Sequence, residues 1–68
     1  MALSARNQLQ GIVEDIKFGN IMAHVVVKVG DKLIESVITR TSAEELALKK
    51  GDPVRVVIKS TEVMIQKD

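Results

Sequence analysis

Along residues 21–29 the side chains alternate with a period of two. Ile21, Ala23, Val25, Val27 and Val29 fall on one face, and Met22, His24, Val26 and Lys28 on the other. Such a pattern suits a strand with one face buried and cannot form the apolar stripe of a helix. Gly30-Asp31 then predicts a turn into a third strand at 32–39, and Gly19-Asn20 a turn out of a first strand at 9–18. Gly11 inside that first strand reads as a bulge or a barrel bend. The stretch 41–51 reads instead as a short helix. Ser42 with Glu45, or Thr41 with Glu44, fits a capping box. The early acids and late lysines suit the helix dipole, and Gly51 supplies a left-handed stop. Asp52-Pro53 opens a fourth strand at 54–58, and a fifth follows at 62–65. Five short strands with one helix between the third and fourth is the order of an OB-type barrel. The predicted fold is therefore all-β, a five-stranded OB-like barrel with one short helix, as a single domain over residues 1–68.

A barrel this small is hard to stabilise alone. A 68-residue chain buries only about 60% of the surface its unfolded form exposes. Small folds compensate with disulfides, metals or association. The chain has no cysteine and one histidine, which excludes disulfides and argues against a protein-ligated metal. Association remains, and the composition fits it: 46% of residues are hydrophobic but Phe18 is the lone aromatic. So many aliphatic side chains exceed what one small barrel hides, so subunit interfaces are expected.

Several function classes fall away. A formal net charge of +1 is far from the basic balance of a nucleic-acid binder. No run approaches the roughly eighteen apolar residues of a membrane span. Met1-Ala2-Leu3-Ser4-Ala5-Arg6 lacks the charged and apolar regions of a secretory signal, so a cytoplasmic setting is expected. A nucleophilic triad would need a base beside Ser, and the one imidazole, His24, lies in mid-strand as a surface or interface residue. The carboxylates sit in turns, helix starts and solvent faces without a paired acid/base motif, and no glycine-rich phosphate loop is present. No catalytic residues are assigned, and the chain is not expected to be an enzyme.

Two polar clusters remain. Ser4-Ala5-Arg6-Asn7-Gln8 precedes the first strand, and Lys59-Ser60-Thr61 separates the last two. Both offer hydrogen-bond donors and positive charge without a carboxylate, which is what a tetrahedral dianion requires. Ser42 adds a hydroxyl at the helix start. On the residues alone a plainer reading stands beside this one: a frayed terminus and an ordinary strand connection.

Ser4-Ala5-Arg6-Asn7-Gln8-Leu9-Gln10-Gly11 closely resembles the S-A-R-N-Q-x-x-G signature that opens molbindins and related molybdate-binding domains. Ile38-Thr39-Arg40-Thr41-Ser42-Ala43-Glu44-Glu45-Leu46 is similar to the family's I-T-x-x-S-x-x-x-L helix entry. Lys59-Ser60-Thr61-Glu62-Val63-Met64 looks like its closing K-S-T-[DE]-V-M. The three fall in the family's order and span essentially the whole chain, which resembles the free-standing form. The resemblance implies an OB-like barrel whose monomers exchange a strand and assemble into a hexamer, a trimer of dimers. It implies molybdate or tungstate bound at subunit interfaces, with Ser4, Arg6, Ser42, Lys59 and Ser60 touching the anion. Ala5 and Asn7 would add backbone or supporting contacts. The metal would be held only as its oxyanion, without a separate cofactor and without nucleic-acid or membrane partners, in storage or homeostasis of the anion. Two alternatives from other classes are an OB-type nucleic-acid binder, for which Phe18 is a poor stacking platform, and a purely structural assembly module.

Overall fold

The computed structural model describes residues 4–68. Met1 to Leu3, on which the reading of the chain's start partly rests, lie outside the described residues. Four strands form one antiparallel sheet: β1 (Asn7–Phe18), β2 (Met22–Val29), β3 (Lys32–Thr39) and β4 (Pro53–Ile58), in the order β3-β2-β1-β4. A six-residue helix, α1 (Arg40–Glu45), joins β3 to β4.

The alternation in β2 places its side chains as expected. Ala23, Val25 and Val27 are buried, and Val13 of β1 completes the small core with them. Ile16, Val29, Ile38, Leu48, Val54 and Val56 pack around it. Ile21 falls outside β2 and is 76% exposed.

The bulge lies at Glu14, where the β1–β2 register shifts between Val13 and Asp15, and not at Gly11. Gly11 answers a different need. A Cβ there would stand 2.6 Å from the Lys28 carbonyl oxygen and 2.7 Å from Val27 Cγ1, so the two strands approach too closely for any side chain. The loop before β4 stitches itself to the bulge: Gly51 N–H donates to Val13 O at 2.8 Å, and Val13 N–H to Asp52 O at 2.9 Å.

The helix is shorter than 41–51, and neither expected capping box forms. Thr39, the last residue of β3, is the N-cap, and its side chain accepts from Ser42 N–H. The helix stops at Ala47, which takes the left-handed conformation (φ 51°) that was assigned to Gly51. Ala47 N–H donates to Glu44 O at 3.0 Å and Leu48 N–H to Ala43 O at 3.1 Å. This is the paired bonding of a Schellman stop, and it turns Leu48 back onto the core. Gly51, at φ 93°, serves the turn into β4 instead.

The fifth strand does not form within the chain. Ser60–Glu62 makes a short 3₁₀ turn, and the residues after it run on without pairing. Met64 is 93% exposed and Ile65 89%. A β-prone segment needs an edge to pair with, and none of the four described strands takes it up. Between β3, α1 and β4 an apolar cavity of about 170 Å³ stays open, lined by Val25, Ile38, Leu46 and Val56 among others. The barrel is thus incomplete.

Candidate oxyanion site

The pairing of β1 with β4 brings the two polar clusters together. Asn7 lies opposite Ile58, Gln8 opposite Val57 and Leu9 opposite Val56. Ser4, Ala5 and Arg6 lead into the first of these pairs, and Lys59 and Ser60 lead out of it, so both clusters flank the end of this ladder. Asn7 clamps the end of the ladder, its Nδ2 donating to Ile58 O at 3.2 Å. Clusters more than fifty residues apart in sequence meet because two strands share a register.

This end of the sheet is open and cationic. Ser4, Arg6, Lys59 and Ser60 are exposed, and Ala5 is half-buried. Among the described residues the ion pairs are His24–Glu35, Arg40–Glu44 and Lys49–Asp52. Among the described residues no carboxylate pairs with Arg6 or Lys59, which leaves both charges open to an anion. Nothing among the described residues places three metal-ligating side chains together.

Ser42 stands elsewhere. It follows β3, whose last residue Thr39 pairs with Met22 at the start of β2, beside the far end of β1, where Phe18 pairs with Ala23. From Asn7 to Phe18, β1 has a contour of roughly 36 Å at about 3.3 Å per residue. The β1–β4 pairing sets Asn7 opposite Ile58, with Ser4, Ala5 and Arg6 leading into one strand end and Lys59 and Ser60 leading out of the other, while Ser42 follows the pairing at the far end of β1.

Two residues around Ser42 went unassigned in the sequence. The Thr39 and Ser42 hydroxyl oxygens lie 2.8 Å apart, and Thr39 Oγ1 accepts from Ser42 N–H at 3.1 Å. Thr39, not Ser42, is therefore the residue whose side chain caps the helix. Arg40 anchors the helix start: its backbone N–H donates to Ile21 O at 2.7 Å and its Nη1 to Gly19 O at 3.1 Å. Its guanidinium lies 5.7 Å from the Phe18 ring centroid and pairs with Glu44 at 3.3 Å. The T-x-x-S spacing was the available signal for Thr39, hidden because Thr39 also ends a strand. His24 sits on the outer strand surface, 2.8 Å from Glu35 Oε1.

Residues 3–65 match the TOBE domain model. Molybdenum-pterin-binding protein 1 of Clostridium pasteurianum is 50% identical over 66 residues, covering 96% of this chain and 97% of its own. A molybdate-binding protein of Sporomusa ovata superposes with a TM-score of 0.95 at 34% identity, covering 98% of this chain and all of its own. The cytoplasmic molybdate-binding protein ModG, with molybdate bound, superposes at a TM-score of 0.83 and 38% identity over 88% of this chain and 43% of its own. These relatives are described as binding proteins. No helix among the described residues is long and apolar enough to cross a membrane. The chain belongs to the TOBE-domain family and is molbindin-like within it.

Proposed function

We propose that this protein binds molybdate, and tungstate by the same geometry, at sites shared between the subunits of a cytoplasmic homo-oligomer. Its role is to store the anion and buffer its supply. Ser4, Arg6, Lys59 and Ser60 of one subunit meet the anion from one side, with Ala5 contributing backbone and Asn7 fixing the strand end. Ser42 of a neighbouring subunit meets it from the other. One observation supports this reading: a donor set without carboxylates flanks the Asn7–Ile58 end of β1, while Ser42 follows the strand pairing at its other end, so a second copy would complete the set.

The incomplete barrel supports the assembly. Val63, Met64 and Ile65 are exposed, and the mouth between β3 and β4 is apolar and open. Exchange of this C-terminal segment between two copies supplies each sheet with a fifth strand, and three such dimers make the hexamer. Burying Met64 and Ile65 contributes about 1.5–3 kcal/mol each, which a marginal small fold needs.

An anion enclosed by two chains can be hydrogen-bonded on more sides than one barrel allows, which offsets the cost of removing it from water. Each charge-assisted bond is worth about 1.5–3 kcal/mol. Sulfate carries the same charge on a smaller tetrahedron, so it is refused by the size of the enclosure. Stacking of nucleic-acid bases is disfavoured because Arg40 already covers a face of Phe18.

Calorimetric titration of the anion-free oligomer with molybdate, with sulfate as control, tests this. Saturable molybdate binding, absent for sulfate and weakened at least tenfold by Arg6→Ala or Lys59→Ala, is the expected result. Equal affinity for the two anions contradicts the selectivity. The absence of any molybdate heat, with an unchanged melting temperature, leaves a structural assembly module.

A further inference from the structure

The ladder between β1 and β4 carries a single charge. Residues 7–12 and 53–58, which pair along it, include no carboxylate, and Arg55 is their one ionised side chain. Arg55 lies opposite Gln10 and is exposed. Its Nη1 reaches diagonally across the ladder and donates to Gln8 Oε1 at 3.2 Å. A guanidinium has donors only, so Gln8 must offer its carbonyl oxygen. The partner is therefore a neutral amide, which holds the guanidinium in place and leaves its charge unspent. Arg40 differs: its guanidinium pairs with Glu44 at 3.3 Å, and the carboxylate cancels much of its field. The ion pairs among the described residues do not include Arg55.

We propose that the Arg55–Gln8 pair is an electrostatic guide that speeds capture of the oxyanion, an inference that rests on the assignment of Arg6, Lys59 and Ser60 to the anion site. Arg55 stands three residues before Ile58, roughly 10 Å along the strand at about 3.3 Å per residue. Across that distance a unit charge and a dianion attract enough to change an encounter rate a few fold in dilute salt. The Debye length of about 8 Å at physiological ionic strength removes most of the effect. A charge outside the bonded shell adds to the rate of encounter and hardly to the lifetime of the complex. Gln8 matters because it confines the charge to the flank where both cationic clusters meet the ladder. A glutamate in its place would hold the guanidinium more tightly and cancel it.

Calorimetric affinity, combined with the release rate from chasing radiolabelled molybdate with unlabelled anion, gives the association rate of the oligomer. At about 0.01 M ionic strength Arg55→Ala is expected to slow association about two- to fourfold, and at about 0.15 M less than twofold, with the release rate unchanged. Arg55→Lys keeps the charge and should keep the rate. Gln8→Glu keeps the shape and the bond but cancels the charge, so it should match Arg55→Ala while the melting temperature holds. A loss from Arg55→Ala that is equal at both salt concentrations, or that falls on the release rate, would overturn the guide and make Arg55 a contact or a structural support. An association rate unchanged in dilute salt would overturn it as well. Absence of molybdate binding by the unsubstituted protein would instead refute the site itself, and this inference with it.

Discussion

Two binding-defective variants, co-expressed so that their subunits assemble together, should repair each other. One carries Arg6→Ala with Lys59→Ala and keeps Ser42; the other carries Ser42→Ala and keeps the cationic cluster. Each alone loses charge-assisted bonds worth about 1.5–3 kcal/mol apiece, about tenfold in affinity for every 1.4 kcal/mol. In the mixed oligomer each site draws its cluster from one subunit and Ser42 from a neighbour, because β1 keeps the two apart within a chain. With random assembly, half the clusters are intact and half the serines are intact. About a quarter of the sites therefore receive both intact parts in a symmetric oligomer. Another quarter are defective on both sides. Calorimetry of the purified mixture should show a tight class of sites with the unsubstituted protein's affinity at about that fraction of full stoichiometry. Parallel assembly of each variant alone should show none. A mixture with no tight class would mean that both parts of a site come from the same chain, and the geometric argument would be wrong.

Three further substitutions probe the fold. Ala47→Gly should raise the melting temperature, since a left-handed alanine (φ 51°) costs about 1 kcal/mol that glycine avoids, worth roughly 4–8 °C in a domain of this size; a lowered value would show that the alanine methyl is needed. Gly11→Ala should destabilise by about 1–3 kcal/mol in denaturant melts, because the added Cβ meets the Lys28 carbonyl at 2.6 Å; an unchanged midpoint would mean that the strands separate freely. Met64→Asp with Ile65→Asp should dissociate the assembly in sedimentation analysis, each charge opposing burial of a side chain now exposed; an oligomer of unchanged mass would remove the C-terminal segment from the interface.

Much of the sheet was legible because alternation is unambiguous where a strand has one buried face. β3 runs from Lys32 to Thr39 as expected, and Gly30 turns with φ 62°. What escaped prediction has local physical causes. The bulge at Glu14 involves an ordinary exposed residue and carries no signature, whereas Gly11 advertises itself and marks a close approach instead. The helix stop falls on an alanine forced left-handed so that Leu48 can reach the core, which no propensity reveals. The fifth strand at 62–65 reads as β-prone from its residues, but none of the four described strands pairs with it. For the site, residue chemistry and family resemblance named the candidates, and the strand registers, which depend on tertiary pairing, set Asn7 opposite Ile58 and Ser42 after the pairing at the other end of β1.

Crystals of the molybdate-loaded oligomer, with data collected at the molybdenum absorption edge, would locate the bound anion without reference to any assigned residue. The anomalous peak should lie beside Arg6, Lys59 and Ser60 of one subunit and within hydrogen-bond reach of Ser42 from another. A peak enclosed by the side chains of a single subunit, or one remote from the β1–β4 end, would contradict the shared site.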